Sequence, residues 1–126
     1  MSRREDPMIY EYWNRIGGTL IKEYPIVSKN NTCARRLLDA IILPRHEKRI
    51  AYPSEVDIKG QDVIIVQAKA SRLGMYLMGQ AFFSAQLIKR FKPKSVLSVA
   101  LCNKDDSVLR LIFEKHKGMR VEIIAV

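Results

Sequence analysis

Two stretches decide how this chain is read: LLDAII at residues 37–42 and DVIIVQAK at residues 62–69. In the second, Val63, Ile64, Ile65 and Val66 run straight into Gln67 and Lys69. A short apolar run of branched side chains reads as a strand buried on both faces. Gln67 and Lys69 stand two residues apart, so a strand points both to the same side. In the first stretch Asp39 interrupts the apolar series Leu37, Leu38, Ala40, Ile41, Ile42 and Leu43. A carboxylate inside such a strand is costly unless it pairs with a cation or binds a metal. An ion pair with Arg35 or Arg36 would account for Asp39 alone. An ordinary strand end turning polar would account for Gln67 and Lys69 alone.

Working outward, the flanking segments alternate in period. Asp6-Pro7 reads as an N-cap and first helical position. Met8, Ile9, Tyr12, Trp13 and Ile16 then follow helical spacing until Gly17-Gly18. Residues 19–27 read as a strand bent at Pro25, and residues 35–43 as the Asp39 strand. Residues 45–53 read as a basic loop, and residues 54–59 as a possible short strand. After Lys69 the period changes, and Met75, Met78, Phe82, Ala85 and Phe91 predict a helix over 74–91, closed by Pro93. Met75, Met78, Phe82 and Phe83 are expected to pack into the core. Residues 95–102 read as a buried strand, 105–117 as an amphipathic helix and 120–126 as a last strand. This order predicts an α/β fold with a mixed sheet flanked by helices. With 126 residues, no linker and no internal repeat, it reads as one domain over 1–126.

The chain holds 22 Lys and Arg against 13 Asp and Glu, a net charge of +9. So basic a small domain points to a polyanionic partner, nucleic acid first. Cys33 and Cys102 lie in no metal-ligand spacing, and no apolar leader follows the charged N-terminus. The expectation is a cytoplasmic protein with reduced thiols and no membrane association. No phosphate-binding glycine loop and no GxSxG elbow is present. His46 and His116 have no partner at metal spacing.

Taken together, LLDAII followed by DVIIVQAK and then a long helix resembles the PD-(D/E)XK nuclease superfamily. That superfamily is the core of many restriction enzymes and junction resolvases. The resemblance covers most of the chain, though its motif is short and degenerate. It implies a restriction endonuclease-like αβββαβ core and a Mg²⁺- or Mn²⁺-dependent nuclease acting on DNA. It implies Asp39 as the central metal ligand, with Gln67 standing where the family usually has Glu or Asp. It implies Lys69 as the residue that orients water or stabilises charge on the phosphate. Hard cations take oxygen ligands, which suits a carboxylate and an amide oxygen. Gln67 lacks the family's charge, so another acid is expected to supply it. Glu11 on the first helix is the leading choice by its interval from Asp39, although it falls off the apolar stripe. Glu5, Glu23, Glu55 and Asp57 are the rivals. Gln80 matches a Gln of the RecB-type nucleases, but Ser84 stands where they carry Tyr.

Arg35, Arg36, Arg45, Lys48, Arg49 and Arg72 are expected to contact phosphates, with Arg72 and the 45–49 loop nearest the scissile strand. A homodimer would suit cutting of two strands. The alternative reading is a weakened nuclease fold retained to bind nucleic acid or to serve as a subunit.

Overall fold

A computed structural model describes residues 4–125. Helix α1 (Asp6–Ile16) leads into β1 (Thr19–Val27), β2 (Arg36–Leu43) and the short β3 (Arg49–Ala51). Then come β4 (Asp62–Arg72), α2 (Met75–Ile88), β5 (Ser95–Lys104), α3 (Ser107–Glu114) and β6 (Met119–Ile123). The strands form one six-stranded sheet in the order β3-β1-β2-β4-β5-β6. β2 pairs antiparallel with both β1 and β4, while β1–β3, β4–β5 and β5–β6 are parallel. This is the expected mixed sheet flanked by helices.

Each face of the sheet carries its own core. Met8, Ile9 and Tyr12 of α1 pack on Leu20, Ala40, Ile42, Val66 and Leu101. Leu77, Ala81, Ala85 and Ile88 of α2, with Phe113 of α3, pack on Ile21, Ile41, Ile65 and Ala100. Alternation along β4 therefore feeds both faces, which is why its sequence is apolar without a break.

Gly18 sets the entry to β1. Its φ is +82°, and a Cβ there would lie 2.3 Å from the Leu43 carbonyl oxygen, so no other residue fits.

Several boundaries differ from the sequence reading. Asp6 does not cap α1; it is the first helical residue, and its carboxylate meets Lys22 of β1 at 2.9 Å. The 45–53 loop contains β3, which pairs with Thr19–Ile21 of β1. Three residues are too few to show a period, and only β1 makes them a strand. The strand expected over 54–59 is instead a 3₁₀ turn at Pro53–Glu55. There the Glu55 carboxylate accepts the Tyr52 N–H at 2.7 Å, and Asp57 accepts the Lys59 N–H at 3.0 Å.

The face that α2 buries is also corrected. Leu77, Ala81, Ser84, Ala85 and Ile88 are its buried residues. Met78 and Phe82 only flank the core, while Met75 and Phe83 are 73% and 66% exposed. The helix is apolar on two sides, so its sequence offered two stripes, and packing selects the smaller side chains. Cys33 and Cys102 are free thiols. Among the described residues no helix is long and apolar enough to cross a membrane.

Candidate functional site

The centre of the sheet opens at Asp39. β2 and β4 pair only from Ile42↔Ile64 to Ala40↔Val66. The next antiparallel step would set Asp39 opposite Gln67, and there the two strands part. The Asp39 carboxylate reaches into this fork, where its Oδ2 accepts the Ala68 N–H at 2.8 Å. Two residues further along the same strand edge, the Glu5 carboxylate accepts the Ala70 N–H at 2.9 Å. Glu5 is 8% exposed. Side-chain carboxylates from β2 and from the residue preceding α1 thus replace strand-to-strand hydrogen bonds on β4.

The other neighbour of β2 is distorted at the same level. β1 and β2 pair at Lys22↔Ala40 and Tyr24↔Leu38, which leaves Glu23 facing Asp39 between them. Glu23 has a φ of +54°, a left-handed conformation that costs a non-glycine residue roughly 1–2 kcal/mol. Here the strands switch faces. Ile21 and Tyr24 enter the same core although three residues apart, and so do Leu38 and Ile41. The distortion is what lets a carboxylate occupy the middle of an apolar strand.

Burial pushes the Asp39 carboxyl above its ordinary 3.8, the Ala68 N–H works against that, and the charges of Glu5 and Glu23 push it further up. Among the described residues, no Lys or Arg forms an ion pair with Asp39. The simple pairing with Arg35 or Arg36 is therefore absent.

Gln67 points to the α2 side of the sheet, and strand alternation puts Lys69 on the same side. Gln67 is 6% exposed, and its side-chain amide nitrogen donates to the Ser84 hydroxyl of α2 at 2.9 Å. Ser84 is a partner that the sequence did not single out. A polar residue in the buried stripe of α2, one helix away from a buried Gln, was the available signal. Lys69 is exposed.

Gln67 also opens onto a groove of about 800 Å³ between α2 and the start of β2, which Gln80, Arg35 and Arg36 line as well. Gln67, Gln80, Arg35 and Arg36 share this groove, while Asp39 stands level with Gln67 on the neighbouring strand and Lys69 lies two residues further along β4. Glu11 does not join them: it pairs with Arg15 one turn along α1 at 3.1 Å. It faces away because its position lies off the buried stripe. Glu5 is the α1-side acid that reaches the fork. Glu55 and Asp57 hold their own turn, as described above.

The basic loop 45–49 also lies elsewhere. Arg45 pairs with Asp62 at the start of β4, at 3.3 Å. Lys69 is seven residues further along that strand, about 23 Å at ~3.3 Å per residue. Lys48 stands over the Trp13 ring at 5.3 Å, and Arg49 meets Glu47 and Glu55. The antiparallel course of β2 carries this loop to the opposite end of the sheet from the fork. Arg72 is at the correct end but donates to the Asp105 carbonyl at 2.6 Å.

Among the described residues, no three His, Cys, Asp or Glu side chains form a cluster able to hold a metal ion. The oxygens nearest the fork are those of Asp39, Glu5, Glu23 and the Gln67 amide. Mg²⁺ commonly keeps several waters and takes only one or two protein carboxylates, with substrate phosphate completing its shell. A half-buried carboxylate that no Lys or Arg pairs with among the described residues fits such a loosely held ion. A tightly caged one it does not fit.

No protein-family model matches the chain, and no curated protein matches it in sequence. Among solved structures it is similar to a repair endonuclease from Pyrococcus abyssi, with a TM-score of 0.60 and 10% identity. The match covers 98% of this chain and 47% of that one, so the chain spans about half the length of the endonuclease. At this identity the likeness is one of fold: a nuclease-like mixed sheet with flanking helices.

Proposed function

We propose that this chain is a nuclease that hydrolyses phosphodiester bonds of DNA with a Mg²⁺ or Mn²⁺ ion held at Asp39. The observation that carries the reading is the sheet fork. A largely desolvated carboxylate, in no ion pair with a Lys or Arg among the described residues, sits there beside the strand end bearing Gln67 and Lys69. A divalent cation bound there supplies charge neutralisation at the phosphate and an acidified water. Asp39 would hold it through the oxygen not engaged by Ala68, and Glu5 is the second acid at the same edge. Ser84 fixes the Gln67 amide, so this side chain needs no reordering when substrate arrives. The exposed Lys69 ammonium places a compact positive charge where the phosphate gains negative charge. The +9 net charge favours a polyanionic substrate, and two-strand cutting would use a symmetric homodimer.

The test is cleavage of linear, branched and single-stranded DNA with Mg²⁺, Mn²⁺ or EDTA. Cleavage that needs metal and disappears in folded Asp39→Asn and Lys69→Ala variants is expected. No cleavage of any of these substrates overturns the reading.

One observation favours a second reading. Gln67 is neutral and its amide already serves Ser84, which leaves few charges for a metal. On this reading the fold binds nucleic acid, or serves in a larger complex, without cutting. It predicts salt-dependent DNA binding that survives Asp39→Asn.

A further inference from the structure

The groove that reaches Gln67 has a makeup that a phosphate-binding surface alone does not need. One wall is the outer side of α2, where Met75, Tyr76 and Phe83 are 73%, 77% and 66% exposed. The opposite lip carries Arg35 and Arg36, both exposed and, among the described residues, in no ion pair. Among the described residues no carboxylate lines the groove, and its polar side chains are three amides, a serine, the Tyr76 phenol and the two arginines. Its volume of about 800 Å³ falls within the roughly 300–1,000 Å³ of sites for small organic ligands.

Gly79 gives the independent observation. It lies mid-helix in α2 on the groove wall, between Tyr76 and Phe83. Its φ is not in the left-handed region, and a Cβ there would meet nothing within 4 Å. Neither backbone geometry nor close packing requires a glycine, yet glycine costs a helix roughly 1 kcal/mol against alanine. What its missing side chain provides is open space between two exposed aromatic rings.

We propose that this groove binds unpaired nucleotides of the nucleic-acid strand, with bases against Tyr76 and Phe83 and phosphates against Arg35 and Arg36. Exposed aromatic rings beside a carboxylate-free basic lip are what an unstacked base and its phosphate require. A duplex keeps its bases stacked inside and offers the rings nothing. The groove leads to Gln67, so the bound strand enters the fork as a single strand. This inference rests on the nucleic-acid reading above and names its substrate class.

The test is fluorescence anisotropy in EDTA with a labelled single-stranded oligonucleotide, a blunt duplex, and a duplex with a single-stranded flap. Wild type should bind the single strand and the flap at least five-fold more tightly than the blunt duplex. Gly79→Leu should raise the melting temperature or leave it unchanged while removing that preference, and Tyr76→Ala should reduce it. Equal binding of all three DNAs by wild type, or a preference that survives Gly79→Leu, overturns the groove assignment and leaves the nuclease reading standing. No binding to any of the three removes the nucleic-acid reading itself. A concentration-dependent dimer that Phe83→Glu dissociates, with DNA preference unchanged, would assign the groove to a second copy of the chain and also overturn the proposal.

Discussion

The carboxylate of Asp39 accepts the backbone N–H of Ala68 at 2.8 Å, at the point where β2 and β4 part. One side chain thus has a structural duty, capping a strand N–H, and a proposed chemical one, offering its other oxygen to a cation. The two duties separate under substitution. Asp39→Asn keeps an acceptor for Ala68 and is expected to change stability by less than about 1 kcal/mol. Asp39→Ala leaves the N–H unpaired and should cost about 1–3 kcal/mol. Both should lower metal-dependent cleavage at least 100-fold. Urea denaturation beside a cleavage assay checks this; an Asn variant that cuts like wild type would refute the role given to Asp39.

Glu5 and Glu11 give opposite expectations. Glu5→Gln should lower cleavage at least ten-fold, because Glu5 stands on the same strand edge as Asp39. Glu11→Gln should leave cleavage unchanged and cost no more than about 0.5 kcal/mol, the scale of an exposed helical ion pair. Equal cleavage by the two variants would show that Glu5 serves only the Ala70 N–H.

Gln67→Glu restores the charge that the amide lacks. Without metal it is expected to lower stability by about 1–3 kcal/mol, since a carboxylate would then sit buried near Asp39 and lose the donor to Ser84. With millimolar Mn²⁺ its melting temperature should rise more than that of wild type. Thermal scans in EDTA and in Mn²⁺ read the difference directly. A metal response no larger than wild type's would mean that residue 67 does not face the ion.

Tyr12 lies under the sheet with its hydroxyl buried and, among the described residues, without a hydrogen-bond partner. Burial first, then the charge of Glu122, holds its phenol up to about 12 against an ordinary 10.0. The charged form is the one penalised, so the unfolded chain releases this proton first. Stability should therefore fall as pH rises from about 10 towards 12, by an amount on the order of 2 kcal/mol. Tyr12→Phe should be neutral or stabilising near pH 7 and should lose this alkaline component. Urea midpoints of both proteins at pH 7, 10 and 11 check it, and parallel curves would contradict the assignment.

The sequence made the centre of the molecule legible and its edges less so. β4 could be read because both cores need its apolar side chains, and that demand is written into residues 63–66. The Thr19–Val27 strand emerged with its observed limits, its start marked by Gly17 and Gly18. β3 was invisible because its three residues become a strand only by lying beside β1. The buried face of α2 was misjudged because Met75 and Phe83 are as apolar as the residues that do pack. For the site, Asp39, Gln67 and Lys69 stood out as polar groups in apolar strands. Glu5 was no more than one acid among several. Its reach to Ala70 depends on where the start of α1 lies over the sheet, which no local spacing reports. The 45–49 loop was grouped with the site by charge alone, and charge does not say at which end of a strand a loop emerges.

The fork has one more consequence, and it concerns self-association. A strand whose neighbour peels away offers free N–H groups on which another chain's strand can add, a common route to aggregation. At Ala68 and Ala70 those groups are already taken by Asp39 and Glu5. An approaching backbone would have to displace two carboxylates and set its own carbonyl oxygens against their charge. On the proposed reading the cleft admits a phosphate and a cation, while these two carboxylates close it to an added strand. Neutralising both acids together should therefore favour fibrillar or amorphous assembly as well as lower activity.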